Sequence, residues 1–136
     1  MTLKRIVLLR RDSERLGALL SGRTNAENAV IRLLDDKLSR ADLVESLDEA
    51  AHIVTMDSIV AVRRPSQSRP RVLRLVYPDE AVPEGGRISV LSPLGACVLG
   101  HPEGEVCDSG GMPFLEAIVV ESVTRMPESR AGGLGY

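Results

Sequence analysis

The run Arg87-Ile88-Ser89-Val90-Leu91-Ser92-Pro93-Leu94-Gly95-Ala96-Cys97-Val98-Leu99-Gly100 limits what this chain can fold into more than any other segment. Its first half alternates, placing Ile88, Val90 and more loosely Ser92 on one side of an extended strand. Its second half is a short apolar helix. Ser92 can cap that helix, and Pro93 can open it because its missing N–H has no intrahelical partner there. Gly100 can supply the left-handed stop.

The rest of the chain changes period once. Residues 6–9 read as a short buried strand, and Asp12 or Ser13 can cap a helix over residues 13–20 that carries Leu16, Leu19 and Leu20 on one face and ends at Gly22. A second helix, residues 25–40, begins with Thr24 and Glu27 at the capping-box spacing. Its apolar positions are Ala26, Val30, Leu33, Leu34, Leu38 and Ala41, and Arg32, Asp35, Asp36 and Arg40 form a solvent side. The two helices are expected to form a short hairpin with its tip at Gly22, Arg23 and Thr24. Residues 42–51 are acidic, either the end of the second helix or a connector, and the boundary falls near Glu49.

Beyond His52 the period is two. Ile59, Ala61 and Arg63 oppose Val60, Val62 and Arg64, and Val72, Arg74 and Val76 oppose Leu73, Leu75 and Tyr77. Residues 65–70 and 83–86 are turns rich in proline or glycine, and residues 109–113 read as the hairpin between the last two strands. The expectation is an α+β chain with an antiparallel sheet of four or five strands and a helix over residues 94–99 on one face. Three segments result: a helical hairpin over residues 1–49, a sheet domain over 50–128 and a flexible tail over 129–136.

Composition excludes several functions. The chain has 136 residues and a net charge of -2, which gives no field to draw DNA or RNA non-specifically and predicts no direct sequence-specific nucleic-acid binding. Arg63, Arg64, Arg69, Arg71 and Arg74 are either a solvated strand face or a partner-facing stripe. The apolar run near the N-terminus is too short for a signal-peptide core or a membrane span. Cys97 and Cys107 read as reduced core thiols of a cytoplasmic protein, and His52 and His101 lack the spacing of a zinc site, so no metal and no cofactor is expected. No serine stands in a nucleophile elbow, and neither Gly85-Gly86 nor Gly110-Gly111 has the strand and helix entry of a phosphate loop. No catalytic residue is assigned.

The order Tyr77-Pro78, Ser92-Pro93, Gly100, Glu103-Gly104 and Gly110-Gly111, followed by the strand-like residues 116–123, resembles the C-terminal domain of the Gre transcript-cleavage factors. Within that superfamily the chain looks most like the shorter regulators of nucleoside diphosphate kinase. The resemblance spans residues 51–126 well and the first fifty in layout only. It implies an FKBP-like fold, a bent antiparallel sheet wrapped on a short helix and preceded by a short antiparallel helical hairpin. It implies RNA polymerase as partner, met at the secondary-channel rim, with Ser92, Pro93, Leu94 and Gly95 at the matching contact loop. Nucleoside diphosphate kinase, acted on directly or through its level, is the alternative target.

Gre factors stimulate cleavage by a long hairpin whose acidic tip reaches the polymerase magnesium. Here the predicted helices span only about 12 and 24 Å. The tip carries Arg23 and no carboxylate before Glu27, so cleavage stimulation is expected to be absent. Prolyl isomerase activity is not expected either, because the chain's aromatic residues are Tyr77, Phe114 and Tyr136 alone, too few to wall a proline pocket.

Overall fold

Alternation over residues 58–63 and 71–76 builds two adjoining strands, and the computed structural model places them inside a five-stranded sheet. The structure describes residues 5–23, 28–107 and 117–125. In chain order the elements are β1 (Val7–Leu9), α1 (Arg10–Leu20), α2 (Ala29–Arg40), β2 (Asp42–Val44), β3 (Ser58–Arg63), β4 (Arg71–Val76), β5 (Arg87–Ser89), α3 (Pro93–Val98), β6 (Val106–Cys107) and β7 (Ile118–Arg125). The result is a mixed α+β fold. The large sheet has the order β5-β4-β3-β7-β6, and β1 and β2 form a separate parallel pair.

Burial follows the pleat. Ser58, Val60 and Val62 of β3 point inward, as do Leu73 and Leu75 of β4 and Val120 and Val123 of β7. β3 is antiparallel to both neighbours, and its register against β7 shifts between Ala61 and Val62, leaving Glu121 as the extra residue of a bulge. Leu16 and Leu20 of α1 and Ile31 and Leu34 of α2 join the same core cluster as the sheet and α3.

Several expectations are corrected. The sheet is not wholly antiparallel, because β5 pairs parallel to β4 with Leu75 opposite Ile88. Residues 77–86, with 3-10 turns at Pro78–Glu80 and Pro83–Gly85, are long enough to carry the chain back along the sheet, where a tight hairpin would reverse it. Part of the acidic connector is strand β2, drawn into register by β1, with Leu8 opposite Leu43. α1 starts at Arg10 without a side-chain cap, and Asp12 turns inward to accept a hydrogen bond from the Met56 amide at 3.1 Å. The α2 cap is Asn28, whose Oδ1 accepts from the amides of Val30 at 2.9 Å and Ile31 at 3.2 Å. Thr24 and Glu27, the expected capping box, lie outside the described residues, as do the hairpin at 109–113, Phe114 and the tail.

Two glycines allow close approach. A Cβ on Gly95 would sit 2.2 Å from the Ser89 carbonyl oxygen and 3.0 Å from Leu75 Cδ1. Gly100 has φ of +85°, and a Cβ there would meet Ile6 Cγ2 at 2.6 Å, while its carbonyl accepts from the Val7 amide at 3.1 Å. Gly17, by contrast, lies exposed within α1 with nothing near its missing side chain. Gly95→Ala is therefore expected to destabilise the protein by about 3 kcal/mol or more, because backbone must move, while Gly17→Ala raises stability by about 0.5–1 kcal/mol through helix propensity. Urea unfolding of the two variants checks both, and equal midpoints would refute the packing argument.

Candidate functional site

The segment 89–100 is built as a rigid unit from both ends. At its start the Ser92 hydroxyl donates to the Ser89 carbonyl at 2.7 Å and accepts from the Gly95 amide at 3.1 Å, while the Ser89 hydroxyl accepts from the Leu91 amide at 2.9 Å. Pro93 occupies the first turn, as its fixed φ favours. Of the four predicted contact residues, Pro93 is exposed and Ser92 and Leu94 are half-buried. Gly95 is buried against β5, so its role in this unit is to let α3 approach Ser89.

At the other end stands Lys37, a residue that sequence reasoning passed over. It comes from α2, and its Nζ donates to the carbonyls of Ala96 at 2.7 Å, Cys97 at 2.9 Å and Leu99 at 2.7 Å. The ammonium thus takes the place of a helix C-cap, satisfying carbonyls that have no partner in the helix and lying at the negative end of its dipole. Lys37 is only 2% exposed. Its position three residues beyond Leu34, and six beyond Ile31, was the available signal, since it falls on the inward stripe of α2.

Burial pushes the Lys37 pKa down to about 8 from the ordinary 10.5. Cys97 and Cys107 lie beside it as buried thiols, and the Cys107 thiol is pushed up, first by its interaction with Cys97 and then by burial. The Cys107 thiol is therefore not a ready nucleophile.

The predicted tip lies in a different part of the molecule. Gly22, with φ of +84°, turns the chain out of α1, and Arg23 caps that helix by donating its backbone amide to the Leu20 carbonyl at 2.8 Å and its Nε to the Leu19 carbonyl at 3.1 Å. Thr24 is outside the described residues. Arg23 and Arg15 border a cleft with Tyr77, Pro78 and Asp79, whereas Leu94 borders a second cleft with the β3–β4 connection. The Arg15 guanidinium lies 3.8 Å from the centre of the Tyr77 ring, and Tyr77 is buried. Among the described residues no three His, Cys, Asp or Glu side chains converge as metal ligands would.

This geometry sits in a chain with clear relatives. Residues 49–110 match the family model described as transcription elongation factor GreA/GreB, C-terminal. A regulator of nucleoside diphosphate kinase from Escherichia coli K12 is 33% identical over 94 residues, 69% of each chain. A transcription elongation factor GreA from Hyphomonas neptunium is 32% identical over 90 residues, 64% of this chain and 57% of that one. A GreA/GreB structure from Nitrosomonas europaea superposes with a TM-score of 0.71 at 30% identity, covering 88% of this chain and 99% of the other. The fold is that of Gre-type transcription factors. The chain belongs to the Gre factor superfamily, in the group that includes the regulators of nucleoside diphosphate kinase.

Replacing Lys37 tests how the unit is held. Lys37→Met strands three carbonyls and is expected to cost about 2–3 kcal/mol at pH 7. Between pH 8 and 10.5 the unfolded lysine keeps a proton that the folded one has lost. Stability therefore rises with pH through this window, by up to about 3 kcal/mol from this group. The gap between wild type and Lys37→Met should widen from pH 7.5 to pH 10 in urea titrations. A constant gap would show that Lys37 does not titrate there.

Proposed function

We propose that this protein is a cytoplasmic, non-enzymatic regulator of transcription that docks on RNA polymerase near the secondary-channel rim and does not stimulate transcript cleavage. Docking is assigned to residues 50–128, taken as the FKBP-like, Gre-type domain, with the loop of Ser92, Pro93 and Leu94 as the contact. α1 and α2 are taken as a shortened counterpart of the Gre coiled coil over residues 1–49.

The observation that carries this reading is the length and chemistry of those helices. With 11 and 12 residues, α1 and α2 extend about 16 and 18 Å, and Arg23 stands at the described end of the first. Cleavage chemistry of the Gre kind needs oxygen ligands delivered to a catalytic magnesium, and an arginine supplies none. The protein would then occupy the channel mouth or exclude a competing factor.

Pull-down with core RNA polymerase should give micromolar binding that a GreA protein competes away, with no cleavage of RNA in backtracked complexes. Binding that persists undiminished beside saturating GreA would sink the channel-rim reading, and RNA cleavage above background would sink the claim about the tip.

The similarity to a regulator of nucleoside diphosphate kinase favours a second reading, an effect on that kinase. Purified protein added to nucleoside diphosphate kinase should leave its rate unchanged if the effect runs through kinase level. A changed rate would make the action direct.

A further inference from the structure

The inward face of the large sheet does not end in apolar side chains near α3. In register, Val62 of β3 lies opposite Arg71 of β4 on one side and Val120 of β7 on the other, so an exposed arginine continues the face that Val62 closes. There a cleft of about 230 Å³ opens between α3 and the β3–β4 connection. Its apolar part is Val62, Leu94 and Ile118, and Arg64, Arg69 and Arg71 stand around it.

These three guanidinium groups differ from their neighbours. Arg63 pairs with Glu121 at 3.0 Å and donates to the Gln67 carbonyl at 3.1 Å, and Arg74 faces Asp57 at 3.4 Å. Arg64, Arg69 and Arg71 are exposed and have no carboxylate partner among the described residues. Three cations with no carboxylate partner among the described residues, around an aliphatic floor on a chain of net charge -2, form a local site and not a general basic field. Planar guanidinium forks match carboxylates, and the floor takes an aliphatic side chain. Among the described residues no aromatic ring lines the cleft to stack a nucleobase, which disfavours single-stranded nucleic acid.

We propose that this cleft binds a segment of a protein partner that presents carboxylates beside an aliphatic side chain. The inference deepens the docking reading, since Leu94 belongs to both the cleft and the contact loop, and it rests on that reading only in taking polymerase as the partner.

Three full-length proteins decide it: wild type, R69E/R71E and R69A/R71A, each checked for an unchanged thermal melt, as expected for exposed positions. The probes are a short fluorescein-labelled peptide of glutamates and leucines, a single-stranded RNA oligonucleotide and core RNA polymerase. The expected result is peptide binding by wild type, weakened at least tenfold in R69E/R71E and less in R69A/R71A, with no comparable affinity for RNA. Peptide binding that is absent in wild type or equal in all three proteins overturns the proposal. RNA binding as tight as peptide binding, and lost in the same variants, overturns it in favour of a nucleic-acid site. Peptide binding that behaves as expected while polymerase is not bound leaves the cleft standing and removes the docking reading. Polymerase binding that the variants leave unchanged, with peptide binding likewise unaffected, removes the cleft and leaves docking.

Discussion

The contact on which the remainder of the structure depends is one ammonium group meeting three carbonyls. Lys37 reaches from α2 to the C-terminal end of α3, 59 to 62 residues further along the chain, and closes a helix too short to hold itself together. A six-residue helix gains little from its own hydrogen bonds, so its place is set by what grips its ends. Ser92 grips one and Lys37 the other. Through Lys37 the orientation of α2 and that of α3 become one variable.

Close approach does the rest. Gly95 lets α3 settle on the Ser89 carbonyl, and Gly100 lets the chain pass under Ile6, where its carbonyl and amide bridge Val7 and Val54. These contacts tie β1 to the loop after α3, and β2 follows through its parallel pairing with β1. Arg125 at the end of β7 donates to the carbonyl of Ala50 at 2.9 Å, and so fastens the chain between β2 and β3 to the sheet. The core cluster accordingly runs without a break from α1 to β7.

Local signals in the sequence were the ones that could be read. The Ser92 cap, the Pro93 start, the Gly100 stop and the alternation in β3 and β4 each depend on a few adjacent residues, and the structure has them where the pattern put them. What escaped depends on partners far away in the chain. Nothing local marks Asp42 to Val44 as a strand, because β1 creates it. Asp12 reads as a cap, but its carboxylate is claimed by the Met56 amide, and burial there pushes its pKa up. Lys37 reads as one more surface charge until the carbonyls it serves are known. The direction of β5 was similarly hidden, since a proline-glycine turn predicts a change of course and not its final sense. The candidate contact loop was legible as a helix start, whereas the arginines beside it became a cleft only once β3, β4 and α3 were assembled.

The parallel pairing of β5 has a consequence for how the molecule behaves in company. Sheets with long open borders recruit further strands from other chains, and the β5 border of this sheet is a fragment of three residues. On the β5 side the chain arrives through two proline-led turns and leaves at once into α3, so the row of free amides is brief. A crossover that looked like a detail of topology thereby leaves little open backbone on the β5 border for another chain's strand to pair with.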